Sequence, residues 1–194
     1  MPYSPAHKAR TRARIVESAR GLFNRRGFEQ VTIDEVMAAA GLTRGGFYNH
    51  FRSKDELYAE AVRSFTMCNP FTKRLASRAR RPSPRGLAKR IVDLYLSDEV
   101  LASVDEQCPL YALPSDVARA GLAPRKAYTD VLRSMTRLYR RAFAADDRDA
   151  DRKAQLMVSL CVGGMVLART TNDPELRASL RKTARQQALA FLDE

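Results

Sequence analysis

A chain of 194 residues, 45% hydrophobic and 29% charged, has room for one ordinary domain or for a small module joined to a larger one, and is too apolar to be disordered. Its net charge of +12 is uneven: residues 1–64 carry 11 basic and 7 acidic side chains, residues 65–90 eight basic and no acidic, and residues 91–194 fifteen of each. That one-sided field points to a polyanion, either nucleic acid or an acidic membrane surface, or to an Arg-rich solvated face.

The chain lacks Trp, is rich in Ala, Leu and Arg, and shows no alternating Val, Ile or Thr runs, so helix is expected throughout. Residues 1–9 read as a loose arm with His7 and Lys8, and no apolar stretch follows them as in a signal peptide. A helix is predicted over 10–26, with Ile15, Ala19, Leu22 and Phe23 on one face and Gly27 to end it. Thr32-Ile33-Asp34-Glu35 is a capping box for a short helix with Ile33, Val36, Met37 and Ala40 in line, stopped by Gly41. Thr43 can cap the next helix, 44–50. Ser53-Lys54-Asp55-Glu56 is a second capping box, opening a longer helix with Leu57, Ala61 and Phe65. Pro82 and Pro84 make 78–85 a hinge.

The remaining patterns are helical as well. Leu87, Ile91 and Leu94 mark a short helix, Pro109 a helix start, and Pro114 a kink or split. Tyr128, Val131, Leu132, Met135, Tyr139, Ala142 and Phe143 mark a strong helix, and Asp146–Asp149 a loop. The last two helices are predicted over 151–171 and 174–192, separated by Asn172-Asp173-Pro174. The longest apolar run, Leu156 to Ala168, is shorter than the roughly 18 residues a membrane span needs. Cys68, Cys108 and Cys161 are odd in number and far apart, which argues against a disulfide framework and for a reducing cytoplasm. The expected fold is all-α, with a three-helix module over residues 1–54 and a larger helical body over 55–194.

Two short helices around Gly41 meet the requirements of a helix-turn-helix. Small Ala38, Ala39 and Ala40 allow close packing before the turn, and the second helix offers Thr43, Arg44, Gly45, Gly46, Tyr48, Asn49 and His50 to a major groove. Arg can take guanine O6 and N7 with two bonds, and Asn can pair with adenine. Tyr, His, Thr and Lys54 suit phosphates. An enzyme is disfavoured: the only histidines are His7 and His50, and there is no phosphate loop, dinucleotide Gly pattern, CxxC or HExxH. No catalytic set, cofactor or metal signature stands out. A helical scaffold with an incidental basic surface is the alternative.

From Ile15 to Leu57 the sequence resembles the DNA-binding domain of the TetR (tetracycline-repressor-like) family. Leu22-Phe23, Gly27-Phe28, Thr32-Ile33, the run from Ala40 to Phe51 and Ser53 to Leu57 carry the resemblance. It implies nine or ten helices, a homodimer formed through about 151–192, and a C-terminal ligand domain that releases a double-stranded DNA operator when a small molecule binds. By position, Thr32 and Thr43 would cap helices facing phosphate, and Arg44, Gly45 and Asn49 would lie near base edges. Gly46, Tyr48, His50 and Lys54 would follow the backbone. Gly46 departs from the Thr or Ser frequent there, which removes a hydroxyl and loosens the helix.

Cys108-Pro109-Leu110 with Ala112-Leu113 and Asp116-Val117-Ala118-Arg119 resembles a segment of one branch of that family. Cys108 is a packing residue or an oxidant sensor; Pro109 at a helix start favours a thiolate, and Asp105 and Glu106 oppose it. Tyr95, Tyr111, Tyr128 and Tyr139, with Cys108 and Met135, are the candidate ligand pocket, though core tyrosines would look the same. Gly163-Gly164 fits a helix seam between subunits or close packing within one chain. The basic stretch 73–90 (Lys73, Arg74, Arg78, Arg80, Arg81, Arg85, Lys89, Arg90) suits DNA attraction, an acidic ligand or solubility.

Overall fold

Ser4 and Pro5 begin the first helix. The Ser4 hydroxyl accepts from the His7 N–H at 3.2 Å and Pro5 fills the first helical position, so α1 runs Pro5–Gln30. His7 and Lys8 therefore sit on a helix rather than on the expected loose arm. This computed structural model describes residues 4–67 and 82–193; Cys68, most of the basic stretch and the 78–81 part of the expected hinge lie outside them. Gly27, at φ 77°, kinks α1 instead of ending it, and one further turn follows.

The capping box at Thr32 forms as expected and opens α2 (Ile33–Ala39); such a cap contributes about 1 kcal/mol. Gly41, at φ 64°, makes the turn that Ala or a larger residue would strain. The segment Arg44–Asn49 was expected as an α-helix and instead winds as a 3-10 turn. Gly45 and Gly46 side by side remove the helix propensity that would hold an α turn, and the backbone bonds close at i+3, Gly46 N–H to Thr43 C=O and His50 N–H to Phe47 C=O. Next comes α3 (Lys54–Met67). Its cap is half of a box: Ser53 Oγ accepts from Glu56 N–H at 3.1 Å, but Glu56 accepts from Arg52 N–H at 2.8 Å instead of Ser53.

The body comprises α4 (Pro84–Tyr95), α5 (Asp98–Ala102), a 3-10 turn (Val104–Glu106), α6 (Pro109–Ala112), α7 (Pro114–Arg119), α8 (Leu122–Arg140), α9 (Ala150–Thr170) and α10 (Pro174–Ala190). Ser83 caps α4 and Pro84 starts it, so residues 84 and 85 belong to a helix and not to a hinge. Pro114 splits α6 from α7, as its missing N–H requires. Among the described residues there is no strand, and no helix is long and apolar enough to cross a membrane.

Helix α8 is the spine, packed on α3 along one side and on α9 along another, with α4, α6 and α7 against it. Its Ala127, Val131 and Tyr139 are buried with Tyr58, Val62 and Phe65 of α3 and Met157, Cys161 and Met165 of α9. The module's own core joins α1 to α3 through Phe23, Phe28 and Tyr58, whose rings lie 4.7–5.9 Å apart. In α9 the two glycines differ. A Cβ on Gly164 would come within 2.8 Å of the Ala184 Cβ of α10, whereas one on Gly163 would meet nothing within 4 Å. Gly164 therefore serves close packing inside the chain, and Gly163 faces outward.

Candidate nucleic-acid interface

The interface is built where the start of α1 faces the turn 44–49. An open groove there is lined by His7, Lys8, Thr11 and Arg14 on one side and by Thr43, Gly46, Asn49 and His50 on the other, with Met37 and Leu42 beneath. Four of the predicted DNA-contacting residues thus share one concave surface. The α1 residues opposite them were not singled out from sequence, although Ser4-Pro5 was the available signal that helix begins early enough to carry them.

Arg44, Gly45 and Tyr48 are exposed on the same turn, Tyr48 to 63% with its ring set edge-on against buried Phe47 at 5.2 Å. Arg44 pairs with Asp34 of α2, Nη1 to Oδ2 at 2.7 Å, with both side chains exposed. Gly46 rests on Met37, and an added Cβ would sit 3.6 Å from the Met37 methyl, an ordinary contact. Space therefore does not dictate glycine at 46. Thr43 occupies the cap position without a side-chain cap bond, which leaves its hydroxyl to other partners.

Two predicted residues are committed elsewhere. Thr32 spends its hydroxyl and its N–H on Glu35, donating to Oε2 at 2.9 and 2.8 Å and accepting from Glu35 N–H at 3.2 Å. The Thr32 N–H and the Arg26 guanidinium hold the Glu35 carboxyl down at about 2. Lys54 lies 4.2 Å over the Phe28 ring, with Nζ 3.5 Å from the Glu29 carbonyl, so it ties α3 to the end of α1.

Arg12, which sequence reasoning passed over, fixes the turn in place. It donates to the His50 carbonyl at the end of the turn, to Glu60 (Nε to Oε1 at 3.0 Å, with Nη2 on the other oxygen) and to Glu56 at 3.4 Å; its guanidinium also lies 4.0 Å over the Phe51 ring. A helical Arg followed by two acids on a later helix leaves no local pattern, so nothing in the sequence marked it. His50 is half-buried, with Nδ1 unpartnered. Burial, then Lys8, Arg12 and His7, push its pKa below the ordinary histidine value.

A polar latch joins the module to the body. Buried Asn24 donates from Nδ2 to the Asp105 carbonyl at 3.2 Å and the Gln107 carbonyl at 3.0 Å, and Arg25 pairs with the Asp105 carboxylate. The next residue, Cys108, lines a cavity of about 150 Å3 with Tyr95 and Met135. The other three pocket candidates do not line it. Tyr128 donates to the Leu110 carbonyl at 2.8 Å, Tyr139 lies 3.5 Å from Cys161 Sγ, and Tyr111 packs edge-on behind Tyr95 at 5.4 Å. They are core tyrosines. Burial pushes the Cys108 thiol up to about 12, outweighing the helix start at Pro109, so the thiolate a sensor needs is strongly disfavoured.

On α9, Leu156 and Leu167 are exposed and share a stripe with Gly163 and the partly buried Leu160, and Leu176 of α10 is also exposed.

Comparison with known proteins agrees with this geometry. Residues 15–61 match the family model described as bacterial regulatory proteins, tetR family. The uncharacterized HTH-type transcriptional regulator YfiR of Bacillus subtilis is 38% identical over 56 residues, 29% of this chain and 27% of that protein. The HTH-type transcriptional repressor BepR of Brucella suis is 25% identical over 178 residues, 86% of this chain and 83% of that one. The first three curated relatives are matched over only 27–43% of their own lengths. A TetR transcriptional regulator from Chloroflexus aurantiacus superposes with a TM-score of 0.74 at 23% identity, covering 97% of each chain, which shows a shared fold.

Proposed function

We propose that this chain, a member of the tetR family of bacterial regulatory proteins, is a homodimeric repressor that binds a pseudo-palindromic DNA operator and leaves it when a small molecule occupies the helical body. One observation carries the reading: a rigidly held turn with Arg44, Tyr48 and Asn49 on its surface stands beside a basic helix start (His7, Lys8, Arg14). That pairs base-reading groups with phosphate-binding ones. Arg44 and Asn49 read base edges, and Thr43, Tyr48 and His50 take backbone phosphates.

The apolar stripe of α9 and α10 supports the dimer. Leucines left in water at Leu156, Leu167 and Leu176 are expected to be covered by the same stripe on a second copy, with Gly163 allowing the helices to approach. The dimer would set two turns in successive major grooves. The position of the cavity supports release. The cavity is walled by Phe65 and Thr66 of α3 and by Cys108, next to the latch at Gln107, so a ligand that favours a shifted wall also shifts the reader. The setting is the cytoplasm.

The test is selection of a site from random duplex DNA. A two-fold symmetric site is expected, with affinity falling about 10³–10⁵ between 50 and 200 mM salt if roughly 6–10 phosphates are contacted. Arg44→Ala with Tyr48→Ala should abolish selection while leaving a folded dimer. If that double variant binds the selected site unchanged, the turn is not the reader.

A further inference from the structure

The charges of the body are sorted onto one helix. Residues 91–194 hold fifteen bases and fifteen acids, yet 122–141 alone hold six of the bases and one of the acids, which leaves nine bases against fourteen acids elsewhere. Arg125, Lys126, Arg133, Arg137 and Arg141 are exposed, and among the described residues none of them pairs with an acid. The sixth base, Arg140, is taken by Asp151 and the Ala144 and Ala145 carbonyls. At 3.6 residues per turn, Lys126, Asp130, Arg133, Arg137 and Arg141 stand in one ridge about 22 Å long, with Asp130 its one acid. The segment 68–81 adds five bases and no acid to the sequence, so it holds nothing to neutralise the ridge.

Helices α3 and α8 run in parallel. A Cβ on Gly121 would lie 3.9 Å from Asp55 Oδ1 at the start of α3, and Phe65 near its end shares a cavity with Val131, Ser134 and Leu138. The ridge thus begins near the module and leads away from the turn 44–49. Thr129 and Thr136 spend their hydroxyl protons on the Arg125 and Leu132 carbonyls at 2.9 and 3.0 Å. What this face offers is positive charge rather than a fixed pattern of donors, which suits a phosphate backbone of any sequence. A membrane-surface helix would bury its apolar side in lipid, whereas that side of α8 is already buried on α3 and α9. Duplex DNA is stiff over roughly 150 base pairs, so a duplex lying along the ridge is not the stretch under the turn. We propose that the α8 ridge binds the backbone of a second duplex without regard to sequence, while the turn holds the first; the second clause rests on the operator reading above.

Fluorescence anisotropy on the full chain with a labelled scrambled duplex tests the ridge, in an Arg44→Ala, Tyr48→Ala background where the turn no longer contributes. Binding should persist there. Adding Arg133→Gln, Arg137→Gln and Arg141→Gln should weaken it at least about tenfold at physiological salt and reduce the salt slope by about three units, one per lost base. Removing three exposed bases off α8 instead, Arg148, Arg152 and Lys182, should change it about twofold at most. With the turn intact, energy transfer between a duplex selected by the turn and a scrambled one should appear and then vanish in the ridge variant, with the sequence preference of the turn kept. Scrambled-duplex binding that survives the ridge variant, falls equally in the off-helix variant, or is replaced by ridge-dependent binding to phosphatidylglycerol vesicles would each overturn the proposal. A protein that selects no operator but loses scrambled duplex with the ridge keeps this site and loses the operator reading. One that selects a symmetric operator with no ridge-dependent binding does the reverse.

Discussion

Replacing Arg12 by Ala tests whether the reading turn is held from outside. Its guanidinium bonds the His50 carbonyl, pairs with Glu60 and Glu56, and covers the Phe51 ring, with 32% of the side chain exposed. A charge-assisted bond to a carbonyl contributes about 1.5–3 kcal/mol. The half-exposed ion pairs and the ring contact add at most about 1 kcal/mol each, and these do not sum fully. A loss of about 2–3 kcal/mol is therefore expected, lowering Tm by roughly 5–10 °C. The turn itself is six residues of 3-10 helix with two glycines, and has little of its own to hold it. Should about 1.4–2 kcal/mol of the loss fall on the turn's pose, each reader binds 10- to 30-fold more weakly and a dimer about 10²–10³-fold. Fluorescence anisotropy on selected and scrambled duplexes measures this. Specific binding should collapse toward non-specific binding, and the salt slope should stay within about one unit of the parent because no phosphate contact is lost. Arg12→Lys should not rescue, since an ammonium cannot serve the carbonyl and the carboxylates in one plane. If Arg12→Ala keeps its selectivity within twofold, or loses affinity equally on both duplexes with a shallower salt slope, Arg12 is not a positioning group.

Three further outcomes follow from the same geometry. His50 has a lowered pKa in the fold, so the unfolded chain takes up its proton first; stability should therefore fall as pH drops below about 6.5, read by thermal melts, and His50→Gln should flatten that slope. If His50 takes a phosphate as proposed, that contact favours its protonated form in the complex, so DNA affinity at fixed salt should rise over the same window. Gly163→Glu should give folded monomers by light scattering, whereas Gly164→Ala, pressed to 2.8 Å from Ala184, should cost about 1–3 kcal/mol and leave the outer face intact. Asn24→Ala strands the Asp105 and Gln107 carbonyls at the junction, costing about 1–3 kcal/mol by thermal melts; it should weaken the response of operator binding to a releasing small molecule more than operator binding itself.

The helices were legible because each is marked locally. Thr32-x-x-Glu35, Ser53-x-x-Glu56, Gly41 and Pro174 are cap and turn signals that act within four residues, and the apolar period of 128–143 survives almost unchanged in α8. Two local readings failed for local reasons: Ser4-Pro5 was a helix start hidden in a basic arm, and Gly45-Gly46 relaxed an α turn into a 3-10 one. The tyrosines failed for a different reason. A Tyr on an apolar face has the same period whether its ring walls a cavity, as at Tyr95, or its hydroxyl reaches a backbone carbonyl, as at Tyr128.

What the sequence left unmarked are polar side chains that act at long range. Arg12 reaches residues 38–48 positions away, and Asn24 reaches residues 81 and 83 positions away. Both sit on α1, one at each end of the module. Arg12 fixes the turn proposed to meet DNA, and Asn24 fixes the strip of backbone beside the cavity. Because α1 is one helix between them, the proposed release predicts that a displacement at Gln107 too small to break the module's core is carried to the groove at His7 and Lys8. The kink at Gly27 falls beyond Asn24, so it does not interrupt that path. If the proposed ligand release operates, an intact helix with a polar clamp near either end is enough to carry it, with no flexible intermediary.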